Sequence, residues 1–147
     1  DAIANTLRSV EGTLGPKGYT TRFGGFQFED TSKHPRISHP TGWGENSAAA
    51  GAYQIMPDTW DTVVQPALNL PDFSPQSQEL AGRFLVQRRG VDPDGRFNTF
   101  EDFTAGMSKL SPEWAGLPNS ANGTTGYWGQ ARTSMKDLYN TYQSFFK

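Results

Sequence analysis

The N-terminal segment changes from a helical to a hairpin pattern, and this change constrains the fold more than any other feature of the sequence. Gly12 should end a first helix, and strand-forming residues then flank Gly24-Gly25, which predicts a β-hairpin within residues 18–28. The apolar residues of the first helix recur at helical spacing: Ile3, Leu7, Val10 and Leu14.

Further helices are predicted downstream. A short helix should begin near Pro57, and a longer one should begin after Ser74 and run through Leu80 and Leu85 to Gly90. Asn98 or Thr99 can cap the next helix, and apolar spacing within residues 131–145 predicts a last one.

Two polar segments should form irregular loops. Residues 29–45 are rich in Pro and Gly and long enough to be functional, and residues 116–126 are rich in Gly and Asn. Ser47 should open a small-residue turn. A mainly helical body with one small β-hairpin predicts an α+β fold, and we expect residues 1–147 to form a single domain.

Composition excludes several function classes. A net charge of -2 gives no basic surface for nucleic acid, and no apolar run is long enough to span a membrane. The absence of cysteine removes thiol nucleophiles and thiolate metal sites, and His34 and His39 alone fall short of a zinc site. We therefore expect no metal and no cofactor. An aromatic content of 13% favours a carbohydrate ligand, because aromatic faces stack on sugar rings.

Glu11 is the candidate general acid. It lies in the last turn of the predicted first helix, where the helix dipole raises the pKa of a carboxyl unless another group compensates. A raised pKa is what a proton donor near neutral pH requires, although a solvated, exposed glutamate is the alternative. Glycosidases usually pair two carboxylates, and Glu29, Asp30 and Glu45 are the candidate partners, which their spacing does not rank.

The segment Gly51 to Trp60 is the second informative stretch. Tyr53 offers a ring face and a hydroxyl, and Gln54 offers an amide that both donates and accepts. A sugar with N-acetyl and hydroxyl groups would need such partners. A buried helix entry with a satisfied glutamine is the alternative interpretation.

Six segments together resemble the phage lambda endolysin family of peptidoglycan lytic transglycosylases. They recur in one order along nearly the whole chain, at residues 9–13, 24–25, 28–36, 51–54, 72–78 and 114–118. In addition, Gly51 to Trp60 is similar to the Gly-x-x-Gln-x-x-Pro-x-Thr segment of soluble lytic transglycosylases, which are related to goose-type lysozyme. The resemblance implies a lysozyme-like α+β fold with two lobes, a mainly helical body, a small β-hairpin subdomain and a glycan-binding cleft between the lobes.

The resemblance also implies a reaction. The family's catalytic glutamate matches Glu11, which would act as acid and then as base while the bond between N-acetylmuramic acid and N-acetylglucosamine breaks without water. The product would be a 1,6-anhydro-muramic acid. A hydrolytic muramidase, in which Asp30 or Glu45 holds a water molecule, and a non-catalytic wall-binding module are the alternatives.

The resemblance further implies substrate contacts at six positions: Tyr53, Gln54, Tyr127, Trp128, Ser47 and Asp30. The segment around Trp128 resembles the family's Gly-Tyr-Gly-Gln stretch with one added tryptophan, so either Tyr127 or Trp128 takes the place of the family tyrosine. Residues 40–47 and 117–126 correspond to the lips that close over the glycan. Asp30 should be mainly structural, and a minor part in stabilising a developing oxocarbenium charge is the alternative.

These inferences also predict where the chain acts. Its partner should be the glycan strands of peptidoglycan, which it should attack in the bacterial periplasm as a monomer when the domain is isolated. It should arrive there either on a virion or by release from the host cytoplasm. A start at Asp1 without methionine suggests a processed product or a domain excised from a longer chain.

Overall fold

The computed structural model describes residues 1–121, 126 and 131–146. The chain divides into two compact units. We call Asp1–Val10 with Leu85–Lys147 the helical unit, and Glu11–Phe84 the hairpin unit.

The helical unit contains most of α1 (Ala2–Glu11), the end of α4 (Pro75–Arg88), and the helices α5 (Phe100–Leu110) and α6 (Met135–Ser144). Aromatic rings fill part of its core, since the ring centroids of Phe103 and Tyr142 lie 5.1 Å apart. The buried residues of this unit include Ile3, Leu7, Phe103, Met107, Leu110, Trp114, Leu117, Met135, Leu138 and Tyr142.

The helix caps agree with the sequence. The Thr99 hydroxyl accepts the backbone N–H of Asp102 at 3.1 Å at the start of α5. Ser134 accepts the N–H of Asp137 at 3.1 Å, so α6 begins at Met135 rather than near residue 131.

One position predicted to be buried is exposed. Leu14 is 48% exposed, since Gly12 adopts a φ of 73° and takes the chain out of α1 before Leu14 is reached.

Two short antiparallel hairpins characterise the hairpin unit. A 3₁₀ helix (Pro16–Thr20) leads into β1 (Thr21–Arg22), which pairs with β2 (Phe26–Gln27) across the Gly-Gly turn, so the predicted hairpin is confirmed. β3 (His39–Pro40) pairs with β4 (Asn46–Ser47).

The second hairpin was not predicted. Residues 29–45 were expected to be irregular and Ser47 to lie in a small-residue turn, and both expectations are wrong for the residues that pair. The turn closes because the backbone N–H and the hydroxyl of Thr41 both donate to the carbonyl of Glu45, each at 2.9 Å.

A helical segment with a π-helical centre follows. α2 (Pro57–Thr59) leads into a π-helix (Trp60–Val64) and then into α3 (Gln65–Leu68), so the predicted start at Pro57 is confirmed. α4 begins at Pro75, where the Ser74 hydroxyl accepts the N–H of Ser77 at 3.3 Å. In the described part of the chain, no helix is both long and apolar enough to cross a membrane.

Rings also form the centre of the hairpin unit. Phe73 lies 4.9 Å from Trp60 and 4.9 Å from His34, measured between ring centroids. The buried His34 ring contacts the carbonyl of Ile55 through Nε2 at 2.7 Å. Burial lowers the pKa of His34, because its charged form loses hydration.

Candidate active site

Glu11 is the last residue of α1 and is partly buried. Gly12 follows with a φ of 73°, a left-handed conformation that glycine adopts without steric cost. The buried Thr13 hydroxyl then donates to the carbonyl of Ala52 at 2.5 Å. The chain on the C-terminal side of Glu11 is therefore attached to the turn Gly51–Gln54.

The turn Gly51–Gln54 is a tight reversal between two paired residues. The N–H of Ala50 donates to the carbonyl of Ile55 at 3.2 Å, and the reciprocal bond measures 2.9 Å. Gly51 adopts a φ of 83° and Gln54 one of 47°. A left-handed non-glycine residue persists only where its surroundings hold it.

The side chain of Gln54 supplies much of that hold. Its Nε2 donates to the carbonyl of Gly51 at 2.8 Å and to the carbonyl of Thr21 in β1 at 3.0 Å. Both donor hydrogens are used, so the amide carbonyl Oε1 is the group that Gln54 can offer to a ligand.

Tyr53 is buried within the hairpin unit. It is 2% exposed, and its hydroxyl donates to Oε1 of Glu79 in α4, while the hydroxyl of Tyr19 donates to Oε2 at 2.7 Å. A Cβ added at Gly82 would lie 2.7 Å from the Tyr53 ring. The expected sugar contact of Tyr53 stays a prediction, although nearly all of its ring surface is already covered.

Asp30 lies at an exposed turn, where its carboxylate accepts the N–H of Ser32 at 2.9 Å. The hydrogen bonds from the side chain and backbone of Ser32 lower the pKa of Asp30, so this carboxyl is ionised near neutral pH. Arg36 forms two hydrogen bonds to the carboxylate of Asp61, at 2.7 and 2.5 Å, which attach the loop to the π-helix. Their contacts favour structural roles, whereas a substrate contact of Asp30 stays a prediction.

The remaining predicted contacts are less well defined. Ser47 is buried in β4, where its hydroxyl accepts the N–H of Ala49 at 3.3 Å. Its sugar contact stays a prediction. The predicted contacts of Tyr127 and Trp128 lie outside the described residues.

Comparison with known proteins decides the family. The model of the Endolysin family matches residues 1–146. The chain belongs to the Endolysin family. The endolysin of Escherichia phage lambda is 33% identical over 106 residues, 72% of this chain and 65% of that protein. The endolysin of Escherichia phage P2 is 34% identical over 101 residues, 69% of this chain and 55% of that protein. The matched region thus spans less than two thirds of either relative.

Solved structures agree with this assignment. Bacteriophage lambda lysozyme complexed with a chitohexasaccharide matches with a TM-score of 0.80 and 29% identity, over 97% of this chain and 90% of that one. A second structure of the lysozyme from bacteriophage lambda matches with a TM-score of 0.77 and 28% identity over the same shares. The predicted lysozyme-like α+β fold is confirmed.

The chain also carries an aromatic cluster that sequence reasoning missed. Phe26 and His39 lie 4.8 Å apart between ring centroids and join the two hairpins, and Trp43 meets Phe23 edge-on at 6.5 Å. Trp43 is 58% exposed. It stands between two glycines with positive φ, and that Gly-Trp-Gly pattern was the available signal.

Sequence reasoning also missed the polar residues behind the turn Gly51–Gln54. Thr13, Gln78 and Glu79 contact its backbone or side chains. The available signal was the pair Gln78 and Glu79 in α4, which are polar residues at positions where an apolar residue would be expected to face inward. Among the residues that the structure describes, no group of three or more His, Cys, Asp or Glu side chains could hold a metal ion.

Proposed function

We propose that this chain is a peptidoglycan lytic transglycosylase with Glu11 as its single catalytic carboxyl. The observation that carries the proposal is the Thr13–Ala52 hydrogen bond of 2.5 Å, which attaches the Glu11 segment to the turn that bears Gln54. Membership of the Endolysin family supports it, as does the chitohexasaccharide bound to lambda lysozyme.

The proposed reaction begins with protonated Glu11. The carboxyl donates its proton to the glycosidic oxygen while the bond from C1 of N-acetylmuramic acid to that oxygen breaks. The resulting Glu11 carboxylate then takes the proton of the C6 hydroxyl on the same sugar, and O6 bonds to C1. The carboxyl ends protonated, N-acetylglucosamine leaves with a free hydroxyl, and a 1,6-anhydro ring is formed.

One carboxyl is sufficient for this sequence. The nucleophile belongs to the sugar whose bond is cleaved, so proximity replaces the activation of a water molecule. Asp30 is held by Ser32 in a local turn, which agrees with a mainly structural role.

Gln54 is the best supported of the proposed substrate contacts. The two bonds of its Nε2 fix the side chain, so Oε1 can accept the N–H of an N-acetyl group in a defined direction. Tyr53, Ser47, Asp30 and one of Tyr127 and Trp128 complete the proposed set. The substrate is then the glycan strand of the bacterial cell wall, attacked in the periplasm by a chain that arrives on a virion or from the host cytoplasm.

Mass spectrometry of digested, purified peptidoglycan tests the chemistry. We expect muropeptides that end in anhydro-muramic acid and are lighter by one water molecule than hydrolytic products. A hen-type lysozyme digest of the same walls gives the hydrolytic reference masses. Products that carry only reducing ends would overturn the transglycosylase proposal in favour of a hydrolytic muramidase.

A further inference from the structure

The side chain of Gln78, in the second turn of α4, is fully engaged. Gln78 is 1% exposed, and its Nε2 donates to the carbonyls of Phe73 at 2.8 Å and Tyr19 at 2.9 Å. Its Oε1 accepts the N–H of Ala52 at 2.9 Å. One buried amide therefore joins three separate stretches of the hairpin unit.

Ala52 is held from both sides by these contacts. Gln78 binds its N–H, and the hydroxyl of Thr13 binds its carbonyl at 2.5 Å. Only Gly12 separates Thr13 from Glu11. A continuous path of hydrogen bonds thus leads from the α4 amide to the residue that follows the proposed acid by two positions.

The Gln78 amide is packed closely against the backbone of Gly51. Gly51 adopts a φ of 83°, and a Cβ at that position would collide with the Gln78 amide and lie 3.0 Å from the Phe73 ring. The amide, the glycine and the phenylalanine ring are therefore in close contact, with no room for a side chain at position 51. Close packing of this kind holds a catalytic group to the small tolerances that catalysis needs.

We propose that Gln78 is a positioning residue for Glu11, acting through Ala52 and Thr13. This proposal rests on the proposed function of Glu11. The amide fixes the Ala52 peptide, the Ala52 carbonyl fixes the Thr13 hydroxyl, and the short link through Gly12 transmits that position to the carboxyl. Gln78 itself touches no reacting atom, so its loss should reduce turnover rather than substrate binding.

Gln65 supplies a matched control. Its side-chain amide also bonds backbone groups within the hairpin unit, donating to the Leu70 carbonyl at 3.1 Å and accepting the Leu70 N–H at 2.7 Å. None of these bonds involves the Glu11 segment. Both glutamines can be changed to methionine, which keeps the side-chain length and removes the amide.

The test measures kcat and KM on soluble, uncrosslinked glycan strands for Gln78→Met and Gln65→Met, per folded molecule. We expect Gln78→Met to lower kcat by about 10- to 100-fold with KM within about threefold, because small misplacements of a catalytic group cost this much. Gln65→Met should keep kcat within about twofold. Equal kcat losses in the two variants would overturn the proposal.

A double-mutant cycle with Thr13→Val tests the path. Because Gln78 acts through Thr13, the kcat of Gln78→Met/Thr13→Val should be no lower than that of the worse single variant. Losses that multiply would contradict a shared path. The single variant Thr13→Ser, which keeps the hydroxyl, should retain a kcat within about threefold of the wild-type value.

If Gln78→Met does not fold, the variant Gln78→Glu replaces it in the kinetic test. Its protonated carboxyl keeps the acceptor for Ala52 and one donor, whereas the ionised form faces two carbonyls. We expect its kcat to fall below wild type as the pH rises, within the range where circular dichroism shows it folded. An unchanged kcat over that range would overturn the proposal. If Glu11→Gln retained lysis, the proposed function itself would fail, which is a separate result.

Discussion

The interactions that stabilise the interior of the helical unit differ from those that stabilise the interior of the hairpin unit. In the helical unit, the rings of Phe97, Phe103 and Tyr142 pack together with centroids 5.1 to 5.8 Å apart. In the hairpin unit, the rings of Phe73, Trp60 and His34 also pack together, but each strand is only two residues long, and the side-chain amides of Gln54 and Gln78 bind the backbone in addition.

This difference predicts which substitutions should destabilise each unit. Short strands leave many backbone groups without a ladder partner, and a buried unpaired group is costly. Polar side chains therefore do in the hairpin unit what regular hydrogen bonding does in helices. Both units should be sensitive to lost ring volume, and the hairpin unit should in addition be sensitive to lost polar atoms and to added atoms at its glycines.

The largest effect should come from lost volume in the helical unit. Phe103 is completely buried, and Phe103→Ala should lower the free energy of unfolding by about 3 to 5 kcal/mol. Urea unfolding measures this change. The exposed Phe146→Ala, also in the helical unit, is the control, and equal losses would contradict the account.

An added methyl group at Gly51 should come next. Gly51→Ala combines the cost of a left-handed alanine with the collision against Gln78, so we expect a loss of at least about 2 kcal/mol. Gly25 has the same φ of 83° and nothing within 4 Å of an added Cβ. Gly25→Ala isolates the conformational term, and an equal loss in thermal and urea unfolding would show that the collision is absent.

The loss of one tyrosine hydroxyl can be compared between the two units by its effect on the free energy of unfolding. Tyr53→Phe removes a hydrogen bond to the Glu79 carboxylate and should cost about 1.5 to 3 kcal/mol, because bonds to charged groups are stronger. Tyr142→Phe removes an acceptor for the Phe97 N–H at 2.8 Å, a neutral bond worth about 1 kcal/mol. Urea unfolding should rank them in this order, and the reverse order would contradict the comparison.

The smallest effect should be a pH slope from His34. Burial lowers the pKa of His34 in the folded chain below its ordinary value of 6.5, so the unfolded chain binds more protons as the pH falls below that value. Stability should therefore be complete above pH 6.5 and decline below it. Urea midpoints at successive pH values should show a flatter slope for His34→Gln, and identical slopes would refute this origin.

Local chemistry explains which elements could be predicted. Ser74 and Thr99 are cap residues at the starts of α4 and α5, and a Gly-Gly turn marks the first hairpin, because each signal acts within a few residues. The second hairpin gave no such signal. Its strands contain His39 and Pro40 and are too short to alternate, so only the completed turn reveals the pairing.

Part of the candidate active site could likewise be predicted from the sequence, and part could not. The end of α1 at Glu11 follows from apolar spacing and Gly12, and the importance of the turn Gly51–Gln54 follows from its residue types. The bond from Gln78 to Ala52 spans 26 positions of sequence, and no periodicity or capping rule assigns a buried glutamine to a distant turn. Tertiary packing alone determines that contact.

A measurement of cell-wall lysis with the Glu11→Gln variant tests the central claim most directly. The substitution preserves size and removes the proton, so turbidity loss of purified walls should vanish while cooperative thermal unfolding is retained. Glu101→Gln, an exposed glutamate in the first turn of α5, should lyse walls as the wild type does. Substantial lysis by a folded Glu11→Gln variant would contradict the assignment of Glu11 as the catalytic acid.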